Sequence, residues 1–362
     1  MAGKQIQLRS TRERPGGLVR PGLTAAQLPS VKLDPRTAYD FLISVCNDCG
    51  ELEDLLPEDR SWVTQNRTAV AEELGSAACA GGCSSWVSEF ARLVVVRPEI
   101  VTARQVVAAI DELPDGVLVE CMLQELVHNQ ELGETTRQAM GGDGVAWESL
   151  RSQLGQMKGH SALPQTMDDL VPGARLTLHA WLPRYEKVEE RVSRMIGSDV
   201  ANRRRDDALG DPIGFVERAT NGIRLMPEPA IRKIVLAPSY FGRPYNSLSK
   251  VGEIQLISYP IADSALGASG RTAPPVATVR LYRALGDESR LRILQLLAER
   301  DRYLTELATE LELSKPTVSH HLAQLRSASL VTMTEQGNLT YYSLRRDRID
   351  EAGPELRAFL AH

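Results

Sequence analysis

Hydrophobic residues recur at helical spacing along most of the chain before residue 260. Tyr39, Leu42 and Ile43 form one apolar stripe, and residues 174–205 carry a longer one with a highly charged second half. Apolar positions at i, i+3, i+4 and i+7 are typical of amphipathic helices that bury one face. We therefore predict a helical N-terminal domain over residues 34–263.

Two short apolar runs interrupt the helical pattern near the end of that domain. Residues 231–237 and 252–259 are rich in Ile, Val and Leu, and prolines end them. Short apolar runs bounded by turn residues are typical of strands. The pattern predicts a small β element there, with residues 239–246 as the loop between its strands.

Two segments lack any hydrophobic period. Residues 1–33 are rich in Gly, Pro, Arg and Ser, and residues 264–275 in Ala, Gly, Ser and Pro. Such composition favours loops and linkers over packed elements. We predict a flexible tail over 1–33, a linker over 264–275 and a separate domain over 276–362. The predicted fold class is mainly α.

The C-terminal domain contains a helix-turn-helix pattern. Its first helix has apolar residues at one face, namely Leu304, Leu307, Ala308 and Leu311. Glu312-Leu313 makes a short turn, and Ser314 is a good N-cap for the next helix. The inward face of that second helix is formed by Val318, Leu322 and Leu325.

This leaves a polar outer face on the second helix. Its side chains are donors and acceptors suited to phosphates and base edges, near the end of the helix that would enter a DNA groove. The predicted DNA contacts are Ser314, Lys315, Thr317, Ser319 and His320, with Gln324 and Arg326 in support.

A β-hairpin follows the two helices. Residues 329–334 and 339–344 alternate as strands, and Gly337-Asn338 supplies the turn between them. This hairpin is predicted to be a wing, with Asn338 touching the DNA backbone or minor groove. A last helix over residues 347–360 closes the domain.

Three stretches then carry a family resemblance: LYRALGDESRLRILQLLAE, LTELATELELSKPTVSHHLAQLRSASLV and EQGNLTYYSL. Over residues 277–345 the chain resembles the winged helix of the ArsR family of bacterial transcriptional repressors. The resemblance implies binding of double-stranded operator DNA by a homodimer that reads a palindrome. It also implies a dimer interface made of Val276–Gly286 and Asp347–Leu360.

The metal sites of this family do not carry over. Metal-sensing members have a Cys-x-Cys motif where this chain has Tyr303 and Thr305, and the last helix has a histidine only at His362. We therefore expect no metal and no cofactor. The signal is expected to enter through the N-terminal domain, with an unknown small molecule as a candidate effector.

Two other interpretations stay open for the N-terminal domain. An organic-ligand sensor is one, since its four tryptophans could enclose a molecule, although they are equally good core residues: Trp62, Trp86, Trp147 and Trp181. The other is a domain that only mediates protein contacts.

Four cysteines allow a further alternative. Cys46 and Cys49 have the spacing of zinc ligands, and Cys79 and Cys83 flank a Gly-Gly turn. A four-thiolate metal site or a redox switch competes here with simple core cysteines, which are among the most buried residue types.

Charge and composition set limits on function. The net charge is −5, but residues 276–362 hold twelve basic and twelve acidic side chains, so the excess lies in the N-terminal part. A neutral DNA-binding domain must therefore segregate its charge, and the candidates for its basic face are Arg290, Arg292, Lys315, Arg326, Arg345 and Arg346.

No phosphate-binding glycine loop, nucleophile elbow or zinc-protease motif is present, so an enzyme is not expected. No apolar run reaches the 18 residues of a membrane span, and the N-terminus has no hydrophobic signal region. The sequence predicts a cytoplasmic DNA-binding regulator without a membrane partner.

Overall fold

Helices dominate the N-terminal part, as the periodicity predicts. The computed structural model describes residues 29–46, 50–75, 86–129, 131–156, 163–207, 211–226, 228–267, 275–336 and 339–361. The N-terminal helices are α1 (Thr37–Val45), α2 (Pro57–Leu74), α3 (Ala91–Val96), α4 (Ala103–Glu112), α5 (Asp115–Val127), α6 (Gly133–Met140), α7 (Gly144–Gln156), α8 (Leu170–Asp207) and α9 (Pro212–Ala219). The predicted fold class, mainly α with small sheets, is confirmed.

The long helix α8 organises this bundle. Its buried stripe follows the helical period, with Leu178, Trp181, Tyr185, Val192 and Ile196 each at most 2% exposed. Helix α1 packs against α8 and is buried along its whole length. Burial of this stripe holds the bundle together, since apolar area removed from water is the main favourable term in folding.

The β element is a four-stranded sheet rather than two isolated strands. Its strands are β1 (Ser30–Leu33), β3 (Lys233–Ser239), β4 (Ser247–Val251) and β5 (Ile254–Pro260). Their order is β1-β3-β5-β4, with β1, β3 and β5 parallel and β4 antiparallel to β5. Both predicted strands are therefore present, and both are buried nearly throughout, as in parallel sheets covered on two faces.

The end of the predicted tail is part of this sheet. Ser30–Leu33 pair with residues 233–236 of β3, so the prediction of a tail is wrong for these four residues. The pairing partner lies about two hundred positions away in sequence, and local composition carries no sign of it. Residues 1–28 of the predicted tail and 268–274 of the predicted linker lie outside the described residues.

The C-terminal part has the predicted helix order and wing. Its elements are α10 (Val276–Leu285), α11 (Glu288–Glu299), β6 (Arg302–Tyr303), α12 (Leu304–Leu311), α13 (Lys315–Ser327), β7 (Val331–Gln336), β8 (Leu339–Leu344) and α14 (Arg346–Leu360). Strands β7 and β8 form the antiparallel wing, and β6 pairs with β8 on its other side.

A strand from the N-terminal part completes the wing sheet. Strand β2 (Ile223–Leu225) pairs in parallel with β7, which makes the order β2-β7-β8-β6. Just before β2, the carbonyl of Gly222 accepts a hydrogen bond from the Met333 amide at 2.8 Å. Gly222 has φ +114°, and a Cβ there would lie 3.1 Å from Thr332 Cγ2. Residues with a Cβ rarely adopt this φ, so the position favours glycine.

The two parts also share a hydrophobic core. Phe215 and Val216 of α9 and Ile223 of β2 belong to the same buried cluster as Leu322 of α13 and Val331 of β7. Because apolar burial is continuous across the predicted boundary, the winged helix is packed onto the N-terminal part.

Candidate nucleic-acid interface

The turn between α12 and α13 orients the second helix. Glu312 adopts the left-handed conformation at φ 56°, and the Leu313 amide donates to the Ala308 carbonyl at 3.1 Å. This closes the end of α12 in the usual manner of helix C-termini. The turn therefore falls at the predicted Glu312-Leu313 position.

Ser314 caps helix α13. Its Oγ accepts a hydrogen bond from the Thr317 amide at 3.3 Å and lies 2.7 Å from Thr317 Oγ1. Pro316 occupies the first turn, where its missing amide hydrogen costs nothing. Ser314 and Thr317 are thus engaged with each other at the helix start.

The inner face of α13 is buried and its outer face is polar. Val318, Leu322 and Leu325 are at most 1% exposed, as predicted. Lys315, Ser319 and His320 are exposed on the other side. Lys315 makes no ion pair with any residue in the described ranges. These three side chains form the exposed part of the polar outer face of α13.

Gln324 and Arg326 are less exposed than these three side chains. Gln324 Oε1 accepts a short hydrogen bond from Arg290 Nη1, and its Nε2 lies 2.9 Å from His320 Nε2. Arg326 is half-buried, with Nη1 2.9 Å from Met333 Sδ. Gln324 therefore positions the His320 ring through this contact.

Arg290 does not belong to the basic face. It is 9% exposed and donates to the carbonyl oxygens of Arg283 and Ala284 at 2.8 Å. These bonds close the turn between α10 and α11. The prediction that Arg290 contributes to a basic surface is wrong, because its guanidinium is buried and hydrogen-bonded to backbone carbonyl oxygens.

The two adjacent histidines have different surroundings. His320 is exposed, whereas the side chain of His321 is 14% exposed and its Nδ1 lies 3.8 Å from Asp287 Oδ1. Burial lowers the pKa of His321, which favours the neutral ring. Of the two histidines, only His320 has an exposed side chain.

The wing strands are present, but the tip lies outside the described residues. Asn338 falls in the undescribed pair 337–338, and its predicted DNA contact stays a prediction. The strands on either side pair in register from Val331 opposite Leu344 to Gln336 opposite Leu339.

Tyr303, at the first position of the family's Cys-x-Cys motif, makes structural contacts. Tyr303 precedes α12, where its amide donates to Glu306 at 3.2 Å, and its ring packs on Tyr341. Over the described ranges, no group of three or more His, Cys, Asp or Glu side chains could hold a metal ion.

The cysteine alternative is only partly described. Cys46 ends α1 and is disulfide-bonded, whereas Cys121 is a buried free thiol. Cys49, Cys79 and Cys83 lie outside the described residues, so the proposed thiol cluster stays a prediction.

A large cleft lies between α13 and the N-terminal part. Its volume is about 930 Å³, and its lining includes Lys315, Ser319, His320 and Arg326 on one side and Tyr245 and Asn246 on the other. None of the four tryptophans lines it. Trp86, Trp147 and Trp181 are at most 7% exposed in the hydrophobic core.

Comparisons with known proteins show which family the C-terminal part resembles. The profile described as "Bacterial regulatory protein, arsR family" matches residues 287–332. An uncharacterized HTH-type transcriptional regulator of Methanocaldococcus jannaschii is 38% identical over 72 residues, which are 20% of this chain and 81% of the relative.

Two relatives are named as repressors. The transcriptional repressor SdpR of Bacillus subtilis is 36% identical over 64 residues, 18% of this chain and 71% of the relative. A transcriptional repressor SmtB homolog of Synechocystis is 32% identical over 114 residues, 29% of this chain and 86% of the relative. All three similarities cover less than a third of this chain.

Proposed function

The chain belongs to the bacterial regulatory proteins of the arsR family, and from this premise we propose that it is a repressor that binds operator DNA as a homodimer. Its role as a transcriptional regulator follows from the family. Repression is supported by SdpR and the SmtB homolog, both named repressors. The mechanism would be occlusion of a promoter in the cytoplasm, without catalysis.

The exposed polar face of α13 is the observation that carries this proposal. Lys315, Ser319 and His320 project from the first two turns of a helix whose start is capped by Ser314. A recognition helix presents its N-terminal residues to base edges in the major groove. We assign Lys315 to a phosphate and Ser319 and His320 to base edges, with Thr317, Gln324 and Arg326 in support.

Homodimer formation is supported by apolar side chains on the first and last helices of the C-terminal part. Helices α10 and α14 lie together, with the Tyr282 hydroxyl donating to the Ala352 carbonyl at 2.8 Å. Large hydrophobic residues are exposed there, namely Val279, Ile349, Phe359 and Leu360. A second copy of this chain would cover them.

Signal input is assigned to the N-terminal part. The strand pairing of β2 with β7 and the shared core connect that part directly to the wing and to α13. An effector bound to the N-terminal part could thus shift the DNA-binding helix. A small organic molecule is the favoured effector, because the cleft of about 930 Å³ is of the size of small-molecule sites.

Replacement of two exposed side chains tests this proposal. We expect the double variant Ser319→Ala, His320→Ala in the full chain to bind the DNA upstream of its own gene at least about tenfold more weakly, since each good base contact contributes about 1–3 kcal/mol. His128→Ala is the matched control, because His128 is exposed on the N-terminal part.

Binding is measured by fluorescence anisotropy, and far-UV circular dichroism establishes that the variants fold. Wild-type affinity of the double variant would refute the assignment of α13 as the reading helix. An equal loss in His128→Ala would show that the effect is not specific to α13.

A further inference from the structure

The outer face of α13 lies across a cleft from the N-terminal part of the same chain. Its outer residues Lys315, Ser319, His320, Ala323 and Arg326 follow the helical spacing of one face, and all of them line the cleft. The opposite wall belongs to the N-terminal part of the same chain. The surface proposed to read DNA is therefore one side of an intramolecular cleft.

Contacts on several sides hold the two walls in place. Beyond β2 and the shared core, Arg280 of α10 donates to the buried carboxylate of Asp54, with its Nε 2.8 Å from Oδ1. Separating the walls requires at least the Asp54–Arg280 ion pair to break.

Duplex DNA does not fit this arrangement. A helix that reads the major groove lies in a channel about 12 Å wide and about 8.5 Å deep, with a sugar-phosphate backbone on each side. The space beside α13 is instead a cleft closed on its far side by the N-terminal part. A cleft of about 930 Å³ is comparable to small-molecule pockets, which reach roughly 1,000 Å³.

The opposing wall carries negative charge where DNA would present phosphates. Glu89, Glu125 and Glu131 line it, and we call these three residues the acidic wall. Glu89 is 19% exposed and pairs with Arg92 at 2.8 Å. Burial and the like charge of Glu125 raise the pKa of Glu89.

We propose that the N-terminal part is an autoinhibitory element that covers the reading face of α13, and that DNA binds only after the cleft has opened. The inference rests on the proposed DNA-binding function of α13. In the closed state the acidic wall lies across the cleft from α13, where the phosphates of bound DNA would lie, so an open state is favoured by any change that weakens the closed contacts. Apparent DNA affinity then scales with the fraction of open molecules.

The first test weakens the ion pair between the walls. Arg280→Ala leaves the Asp54 carboxylate, 5% exposed, without its cation, and an unpaired buried charge favours the state in which water reaches it. We expect this variant to bind upstream DNA about three- to tenfold more tightly, because the open fraction rises. Arg283→Ala on the same helix is the control, since the Arg283 side chain is exposed. Light scattering checks that both variants keep the wild-type oligomeric state.

The second test removes charge from the acidic wall without touching α10. The double variant Glu125→Gln, Glu131→Gln should also tighten binding, whereas Glu112→Gln, Glu120→Gln makes the same charge change outside the cleft lining. A general effect of net charge would raise the DNA affinity of both double variants equally. The proposal requires a larger gain in DNA affinity for Glu125→Gln, Glu131→Gln. This second test still distinguishes the outcomes if Arg280→Ala does not fold.

The outcomes separate the two hypotheses. If wild type binds DNA and neither set of variants binds more tightly than its control, autoinhibition is wrong and the DNA-binding function stands. If neither wild type nor any weakened variant binds DNA, both proposals fail. Tighter binding by the variants, abolished by adding Ser319→Ala and His320→Ala, supports both.

Discussion

Asp287 shows how one side chain decides where a helix of the DNA-binding part begins. Its Oδ1 accepts a hydrogen bond from the Arg290 amide at 2.9 Å and so caps α11. Arg290 then folds back onto the carbonyls that end α10. The turn between Arg283 and Arg290 thus fixes both the end of α10 and the start of α11.

We expect Asp287→Ala to lower the free energy of unfolding by about 1 kcal/mol at pH 7, as loss of an N-cap does. The hydrogen bond from the Arg290 amide holds the pKa of Asp287 below its ordinary value of 3.8. A lowered pKa in the folded state stabilises the protein above the unfolded value and loses this effect as pH falls through the folded value. The difference between wild type and variant should therefore shrink below pH 3.8.

Urea unfolding at pH 7 and at acidic pH measures this difference. Glu288→Ala at the next position is the control, since Glu288 is exposed and caps nothing. A difference that stays constant through pH 3 would contradict the capping role of the carboxylate.

At the scale of elements, helix α13 combines a buried face that packs in the hydrophobic core with a polar outer face that we propose binds DNA. Its burial pattern follows from the 3.6-residue period, and this much was predictable from sequence. The period does not say which outer side chains are already engaged. Gln324 and Arg326 lie on the predicted outer face, yet Gln324 is bonded to Arg290 and Arg326 reaches Met333.

Lys315→Ala tests the phosphate contact assigned to this helix. Each neutralised phosphate contributes about −0.9 to the slope of log K against log salt concentration on duplex DNA. We expect the variant's slope to be less steep by about that amount, with weaker binding to all DNA sequences. Lys187→Ala is the control, because Lys187 is an exposed lysine on α8. Equal slopes for Lys315→Ala and wild type would exclude this contact.

At the scale of the whole molecule, the two parts share one hydrophobic core. Ile223 and Phe215 from the N-terminal part are at most 2% exposed in a cluster with Leu322 and Val331 of the winged helix. Because the core is shared, a loss of stability in one part is expected to destabilise the other part as well.

Among the described helices, none has the length and hydropathy needed to span a bilayer.

Leu322→Ala tests this coupling. Removal of a buried leucine side chain costs about 2–5 kcal/mol, and Leu322 is 1% exposed. All four tryptophans lie at or before Trp181, so their fluorescence reports the N-terminal part alone. We expect the fluorescence and circular dichroism transitions of the variant to shift together to lower denaturant concentration.

Leu291→Ala is the control for this experiment, because Leu291 is 49% exposed. A fluorescence midpoint that does not move, beside a separate early transition by circular dichroism, would show that the two parts unfold independently.

The sequence by itself determined the local features of this protein. Capping residues, turn residues and the hydrophobic period placed α8, the helix-turn-helix and the wing strands, because each of these depends on neighbours within a few residues. The resemblance that identified the family lies in the same short motifs.

Only the tertiary structure decided how distant segments meet. Strand β1 joins β3, β2 joins the wing, and the acidic wall faces α13, although nothing in the local sequence of Ser30–Leu33 or Ile223–Leu225 marks a partner. Such pairings depend on many weak contacts summed over residues far apart in the chain, which no local period records. For the same reason, the sequence predicted the reading face of α13 and only the structure placed the N-terminal part across it.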